Sequence, residues 1–244
     1  HYDGATGSFR LDFTQETAPT PGQPDKGPQV IPVKLGLIGE DGAELVKDDL
    51  VVIEGAIANK TWKGLKQRPI PSLMRGFSAP VKLAITRAEG DLLTLARFDT
   101  DPFNRWQALQ DAATALLKAS VDSIRSGGPA LSDTRLATAI GGLIATSAGD
   151  PAFAALAIAL PTEGDLAREI GKDIDPDAIG HALDHLRADI GCAVKAEASA
   201  AYAALSVPCP FSPDGASAGR RSLRAQLLRY LIAADAAAGA RTAL

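Results

Sequence analysis

His181 and His185 are the residues of this 244-residue chain whose types and spacing come nearest to metal chemistry. They stand four apart in His181-Ala182-Leu183-Asp184-His185, within a stretch of helical periodicity. Two imidazoles at i and i+4 share a helix face and can hold one zinc ion. A third ligand and a metal-activated water would complete a hydrolase centre. Zinc-hydrolase helices of this spacing place a Glu base directly after the first histidine, and Ala182 stands there instead. The only other histidine is His1. The pair therefore reads as solvated or surface-packed rather than as a metal site.

Gly215-Ala216-Ser217-Ala218-Gly219 matches the Gly-x-Ser-x-Gly nucleophile elbow. That elbow needs a strand before it and a helix after it. Pro208 to Asp214 reads as a loop, so Ser217 is better explained as a helix N-cap. Arg220, Arg221, Arg224 and Arg229 could hold a phosphate or a carboxylate, but such a run is more often a solvated helix face. Trp106 lies on an apolar stripe and reads as core. Trp62, between Lys60 and Lys63, reads as an interface residue. No Gly-rich phosphate loop occurs. No catalytic, cofactor-binding or metal-ligating residue is therefore assigned.

The elements that must position these residues follow two grammars. Up to about residue 88 the pattern is β. Phe9, Leu11 and Phe13 alternate with polar residues, as do Ile31, Val33, Leu35 and Leu37, and Val81, Leu83 and Ile85. Leu50-Val51-Val52-Ile53 suits a strand covered on both faces, and Gly39-Glu40-Asp41-Gly42 reads as a turn. Beyond that point the pattern is helical. Thr86 and Glu89 fit a capping box. Asp101-Pro102, Asp150-Pro151 and Asp175-Pro176 fit helix starts, with Asp at N-cap and Pro at N1. Ser132 and Ser217 complete a set of about six helices. Apolar stripes run through Trp106, Leu109, Ala113, Leu117 and Val121, and through Ile179, Leu183, Leu186 and Ile190. The expected fold is α+β and multidomain: an Ig-like β-sandwich over 1–88, then an α-solenoid over 89–244.

Composition sets the outer bounds. Hydrophobic residues make up 46% and charged residues 22%, ordinary for a globular chain. A net charge of −4 argues against a nucleic-acid partner. The longest apolar run, Phe153 to Leu160, is far short of the roughly 18 residues a membrane span needs. Cys192 and Cys209 read as two reduced thiols, which points to the cytoplasm and empties the glycosylation triplet Asn59-Lys60-Thr61 of meaning. A chain starting at His1 and stopping in Ala-rich helical sequence reads as a fragment.

Several segments resemble bacterial-type aminopeptidase N, a zinc metallopeptidase family. They are Ala18-Pro19-Thr20-Pro21-Gly22-Gln23-Pro24-Asp25-Lys26, Ile31-Pro32-Val33 and Pro69-Ile70-Pro71-Ser72-Leu73. Gly76-Phe77-Ser78-Ala79-Pro80-Val81-Lys82-Leu83 and Asp101-Pro102-Phe103-Asn104-Arg105-Trp106 complete the set. The resemblance is good from about residue 7 to about residue 118 and pattern-level beyond. It implies the small β-sandwich and the start of the helical C-terminal domain of such an enzyme. The family's His-Glu-x-x-His zinc motif and Gly-x-Met-Glu-Asn amine-binding signature are absent, and the sole methionine is Met74. The resemblance thus implies zinc in the parent enzyme rather than in this chain, with the missing catalytic domain, the remaining C-terminal helices and peptide substrates as partners. Two alternatives stand beside this: an independent interaction module, and a small metal hydrolase using His181 and His185. A cut solenoid further predicts an exposed apolar patch near residues 223–244 and self-association through that end, weakened by Leu227→Glu or Leu231→Glu if either side chain lies on the exposed face.

Overall fold

Side-chain alternation builds the first strands. In β2 (Ser8–Thr14), Phe9 is buried while Arg10, Asp12 and Thr14 face solvent. β2 sits between β1 (Tyr2–Asp3) and β5 (Ile57–Trp62) in an antiparallel sheet. A second antiparallel sheet places β3 (Ile31–Gly39) between β4 (Glu44–Ile53) and β6 (Pro69–Leu73). Phe9 and Trp62 of the first sheet meet Val33, Leu35, Leu37, Val51, Ile53 and Leu73 of the second in one core. This is the Ig-like sandwich that the alternation predicts. The computed structural model describes residues 1–206 and 210–235 and groups the chain into two compact units, His1–Arg105 and Trp106–Leu244.

Within the first unit several sequence expectations change. Leu50 and Val52 are 54% and 46% exposed, so β4 is covered on one face only. Trp62 is core rather than interface: its indole donates to Asp49 at 2.8 Å and its ring lies 6.0 Å from Phe9. Val81, Leu83 and Ile85 form no strand. A physical reason lies in β6. The Pro71 carbonyl accepts from Arg87 and the Leu73 carbonyl from Asn104, so the odd positions of β6 face away from β3. With prolines at 69 and 71, that edge offers no N–H there for another strand. The capping box of Thr86 and Glu89 does not form either. Helix α1 (Glu89–Phe98) starts after Ala88, which gives no side-chain cap. Glu89 and Asp91 instead favour the positive end of the helix dipole, and Asp91 pairs with Arg68.

Helix α2 (Pro102–Arg125) gives its first turn to the first unit and the rest to the second. The second unit continues with α3 (Thr134–Ala145), α4 (Pro151–Ala157), α5 (Glu163–Ile170), α6 (Pro176–Ala193), α7 (Lys195–Ala204) and α8 (Gly215–Ala234). The Asp-Pro starts hold: Asp101, Asp150 and Asp175 accept from the amides of Asn104, Phe153 and Ala178. Both serine caps are displaced onto aspartates. Asp133, not Ser132, accepts from Arg135 N, and Asp214, not Ser217, accepts from Ser217 N. Asp133 directly follows Ser132 and Asp214 stands three residues before Ser217, and a carboxylate satisfies the orphan amides better than a hydroxyl because its hydrogen bonds are charge-assisted. The unanticipated α5 is closed by a true capping box of Thr162 and Asp165.

Helix α8 packs against α4, α6 and α7. A Cβ on Gly191 of α6 would lie 2.3 Å from the Tyr230 carbonyl, so the α6–α8 crossing needs glycine. Tyr230 is buried, donates to the Ile158 carbonyl at 2.6 Å, and burial pushes its phenol well above the ordinary range. Leu223, Leu227 and Leu231 are buried, so the condition on Leu227 and Leu231 is not met and the apolar patch expected near residues 223–244 does not include these leucines. The helix turns its apolar stripe inward, where each buried leucine contributes roughly 1.5–3 kcal/mol. Its solvent side carries Arg220, Arg221, Arg224 and Arg229, with Ile232 the exposed large apolar residue among its described positions. Cys209, named above, and residues 236–244 of the expected apolar patch lie outside the described residues.

Candidate functional site

The residues that chemistry singled out do not converge. His181 is exposed on α6, and His185 has Asp189 Oδ2 3.5 Å from its Nε2. Asp184 turns instead to Arg187 at 2.7 Å. Among the described residues, no group of three or more His, Cys, Asp or Glu side chains is placed to hold a metal ion. Ser217 sits in the first turn of α8, buried, with its Oγ accepting from Arg220 Nη2 at 3.0 Å. No strand precedes it among the described residues, and Gly219 lies against the Ala152 backbone, where a Cβ would come within 3.0 Å. Gly-x-Ser-x-Gly here is a helix start and a close helix contact, not a nucleophile elbow. The arginines of α8 lie over aromatic rings: Arg221 over Phe211 at 4.8 Å and Arg224 over Tyr202 at 4.7 Å.

What the fold does bring together is an ionic cluster that the sequence did not advertise. Arg75 is only 3% exposed. It follows β6 in a single 3-10 turn, with Met74 and Phe77 at φ of 60° and 54°. Its Nε donates to Ser72 Oγ at 2.9 Å, Nη1 to Glu44 Oε1 at 2.9 Å, and Nη2 to Asp99 Oδ1 at 3.0 Å. Gly36 on β3 makes the room, since a Cβ there would fall 2.2 Å from the guanidinium carbon. Asn104 donates to Ser72 Oγ and the Leu73 carbonyl, and Asp101 accepts from the Gly76 amide. The cluster thus ties β3, β4 and β6 to α1 and to the first turn of α2. Burial pushes the Asp99 carboxyl up, against the opposing pull of Ser72, the Asp101 amide and Arg75. The hydrogen bond from Arg75 draws Glu44 below its ordinary range. A buried charge satisfied by three acceptors fixes geometry, and it exposes no reactive atom.

The second unit carries an open groove of about 520 Å³ between α2 and α5. Trp106, Gln107, Gln110, Asp111 and Lys118 line one side, and Pro161, Asp165, Arg168 and Glu169 the other. Trp106 is therefore only partly covered, contrary to its expected core role. Its polar neighbours are engaged locally: Gln107 donates to Asp111, Gln110 to the Ala159 carbonyl, and Lys118 to the Glu169 carbonyl. Asp165 is held by Thr162, whose hydroxyl draws its carboxyl below the ordinary range. Such a mixed, solvent-open surface suits contact with a polar chain better than enclosure of an apolar cofactor.

Comparison with known proteins assigns these features to a family. Residues 89–244 match the family described as "Domain of unknown function (DUF3458_C) ARM repeats", and residues 1–86 match its partner, "Domain of unknown function (DUF3458) Ig-like fold". The chain belongs to the DUF3458 family. Aminopeptidase N of Caulobacter vibrioides is 39% identical over 191 residues, covering 78% of this chain and 22% of that protein. Aminopeptidase N of Haemophilus influenzae is 33% identical over 202 residues, covering 80% and 23%. Aminopeptidase N of Escherichia coli is 27% identical over 237 residues, covering 94% and 27%. The chain thus spans about a quarter of the length of the curated relatives it matches. A crystal structure of Legionella pneumophila aminopeptidase A in complex with aspartic acid superposes with a TM-score of 0.79 at 22% identity, over 99% of this chain and 28% of that one. That likeness concerns the fold.

The DUF3458 chain is therefore a segment of aminopeptidase N type, an Ig-like sandwich followed by a helical repeat region, as the sequence resemblance implied. The Arg75 cluster leaves only a faint trace in the sequence. Arg75 lies in Leu73-Met74-Arg75-Gly76-Phe77, where a single arginine inside an apolar run is the signal that could have found it. Lone arginines in such runs are buried only when partnered, and its partners Glu44 and Asp99 are distant in sequence.

Proposed function

We propose that this chain serves a zinc aminopeptidase as non-catalytic scaffold. The sandwich spaces the enzyme's domains, and the helices help to roof the active site and limit peptide access. The observation that carries the reading is the match to three aminopeptidases N over 78–94% of this chain and about a quarter of theirs. In this reading the zinc ligands, the amine-binding residues and the cytoplasmic setting are the parent enzyme's, and peptides are its substrates. The catalytic domain and further helices are partners in the same polypeptide, and no residue of this chain is catalytic. The sandwich module runs over 1–88 and the helical module over 89–244. The compact-unit border after Arg105 reflects the ties of α1 and the first turn of α2 to β6 through Arg75 and Asn104.

Aminoacyl-anilide hydrolysis tests the proposal. The purified chain should show no turnover with or without added zinc, whereas the whole reading frame should hydrolyse the anilide. Zinc-dependent turnover by the 244-residue chain, abolished by His181→Ala, would overturn the scaffold reading and establish the metal-hydrolase alternative.

A further inference from the structure

Residues 81–86 form an exposed stretch without regular secondary structure. Val81, Leu83 and Ile85 are 42%, 40% and 38% exposed, and polar or small residues alternate with them. Apart from the Val81 amide on the Ala79 carbonyl, the backbone of residues 81–86 makes no hydrogen bond to the described residues. Just before it, Phe77 is 67% exposed on a backbone of positive φ and rests on Phe103 with ring centroids 4.2 Å apart. A β-branched and apolar alternation of this kind fits a strand half-covered by a sheet. The neighbouring edge of β6 cannot take that strand, because Pro69 and Pro71 present no N–H and the Pro71 carbonyl is already held by Arg87.

We infer that Val81–Ile85 is a strand held ready for an open β-sheet edge in the part of the aminopeptidase polypeptide that lies outside these 244 residues, with Phe77 as its aromatic anchor. This rests on the aminopeptidase reading above. Three observations select that occupant. The empty backbone positions call for another strand, since main-chain pairing is how an extended segment gains affinity. The apolar teeth at every second residue call for a half-buried site. The relatives that contain this region are about four times its length, so they hold chain that could supply the edge.

Hydrogen exchange followed by mass spectrometry, on this chain and on the whole polypeptide that contains it, tests the inference. In the isolated chain, amides 82–86 should exchange close to the free-peptide rate. In the whole polypeptide, those on the paired side should slow by at least about 100-fold. Leu83→Asp should cancel that slowing without changing exchange in β2 or β3. Free-peptide exchange in the whole polypeptide overturns the inference, as does slowing in the isolated chain that grows with its concentration, which would make a second copy the partner. A reading frame with nothing beyond these residues also overturns it. Anilide hydrolysis is read separately. Slow amides in an inactive polypeptide defeat the aminopeptidase reading alone, and free amides in an active one defeat the strand alone.

Discussion

Arg75 and Arg224 put the same side chain to opposite uses. Arg75 is buried, with its guanidinium shared among Ser72, Glu44 and Asp99, and β3 carries a glycine to admit it. Arg224 lies on the solvent side of α8 with its guanidinium over the Tyr202 ring. The difference teaches that arginine number and spacing, which drew attention to α8, say little about importance. A buried arginine holds three elements in one arrangement because every alternative leaves charges without partners. An exposed one trades protein contacts for water at little net gain.

Removing Arg75 should therefore have the largest effect. Arg75→Ala leaves Asp99 and Glu44 without their cation, and breaking a buried pair in this way costs about 3–5 kcal/mol. Urea unfolding followed by circular dichroism measures it. The loss should shrink as pH falls, because Asp99 can then bind a proton and leave no buried charge behind. A loss below about 1 kcal/mol at neutral pH would place the cluster with ordinary surface pairs.

The acid arm of the stability profile sharpens the same contrast. The folded state holds Glu44 below its ordinary value of 4.5, through Arg75, so its contribution is complete above that value and disappears as pH falls through the lowered one. Asp99 is raised by burial, so its contribution is complete at pH below its ordinary value of 3.8 and is lost as pH rises through the raised one. Glu44→Gln should flatten the decline below pH 4.5, and Asp99→Asn should remove the opposing rise. Stability measured from pH 2.5 to 7 in both variants separates them, and identical profiles would show that the cluster does not titrate as a unit.

Local chemistry was the part of this fold most legible in the sequence, and long-range partnership the least. The Asp-Pro pairs mark α2, α4 and α6 because capping and proline geometry act within four residues. The alternation at Phe9 and Val33 marks strands because the pleat is local. β6 was hidden by its two prolines, and α7 follows α6 with only Val194 between them and no capping side chain. The Arg75 cluster joins positions 31 and 24 residues apart, which no window reveals. At His181 and Ser217 the sequence shows only missing companions: no Glu follows His181, and Pro208 to Asp214 reads as a loop rather than a strand.

Caps give a contrast of intermediate size. Asp175→Ala removes a side chain that accepts from the Ala178 amide and should cost about 1 kcal/mol. Thr86→Ala should stay within about 0.5 kcal/mol of the parent, because Thr86 is exposed and caps nothing. Equal losses in urea unfolding would restore the Thr86 cap and move the start of α1 towards it.

The smallest effect belongs to α8. Arg224 faces Tyr202 at 4.7 Å in water, where a cation–π contact contributes about 0.5–1 kcal/mol. Arg229 has no ion pair or ring contact among the described residues, so Arg229→Ala should lie within about 0.5 kcal/mol of the parent. Arg224→Ala should exceed Arg229→Ala by the ring contribution, and Tyr202→Leu should abolish that excess, since the aliphatic side chain keeps the packing and removes the quadrupole. A double-mutant cycle over Arg224 and Tyr202 reads the coupling directly. A coupling near zero would make α8 a purely solvated face. A coupling approaching the loss from Arg75→Ala would mean that Arg224 is shielded from water, and burial would no longer separate the two arginines.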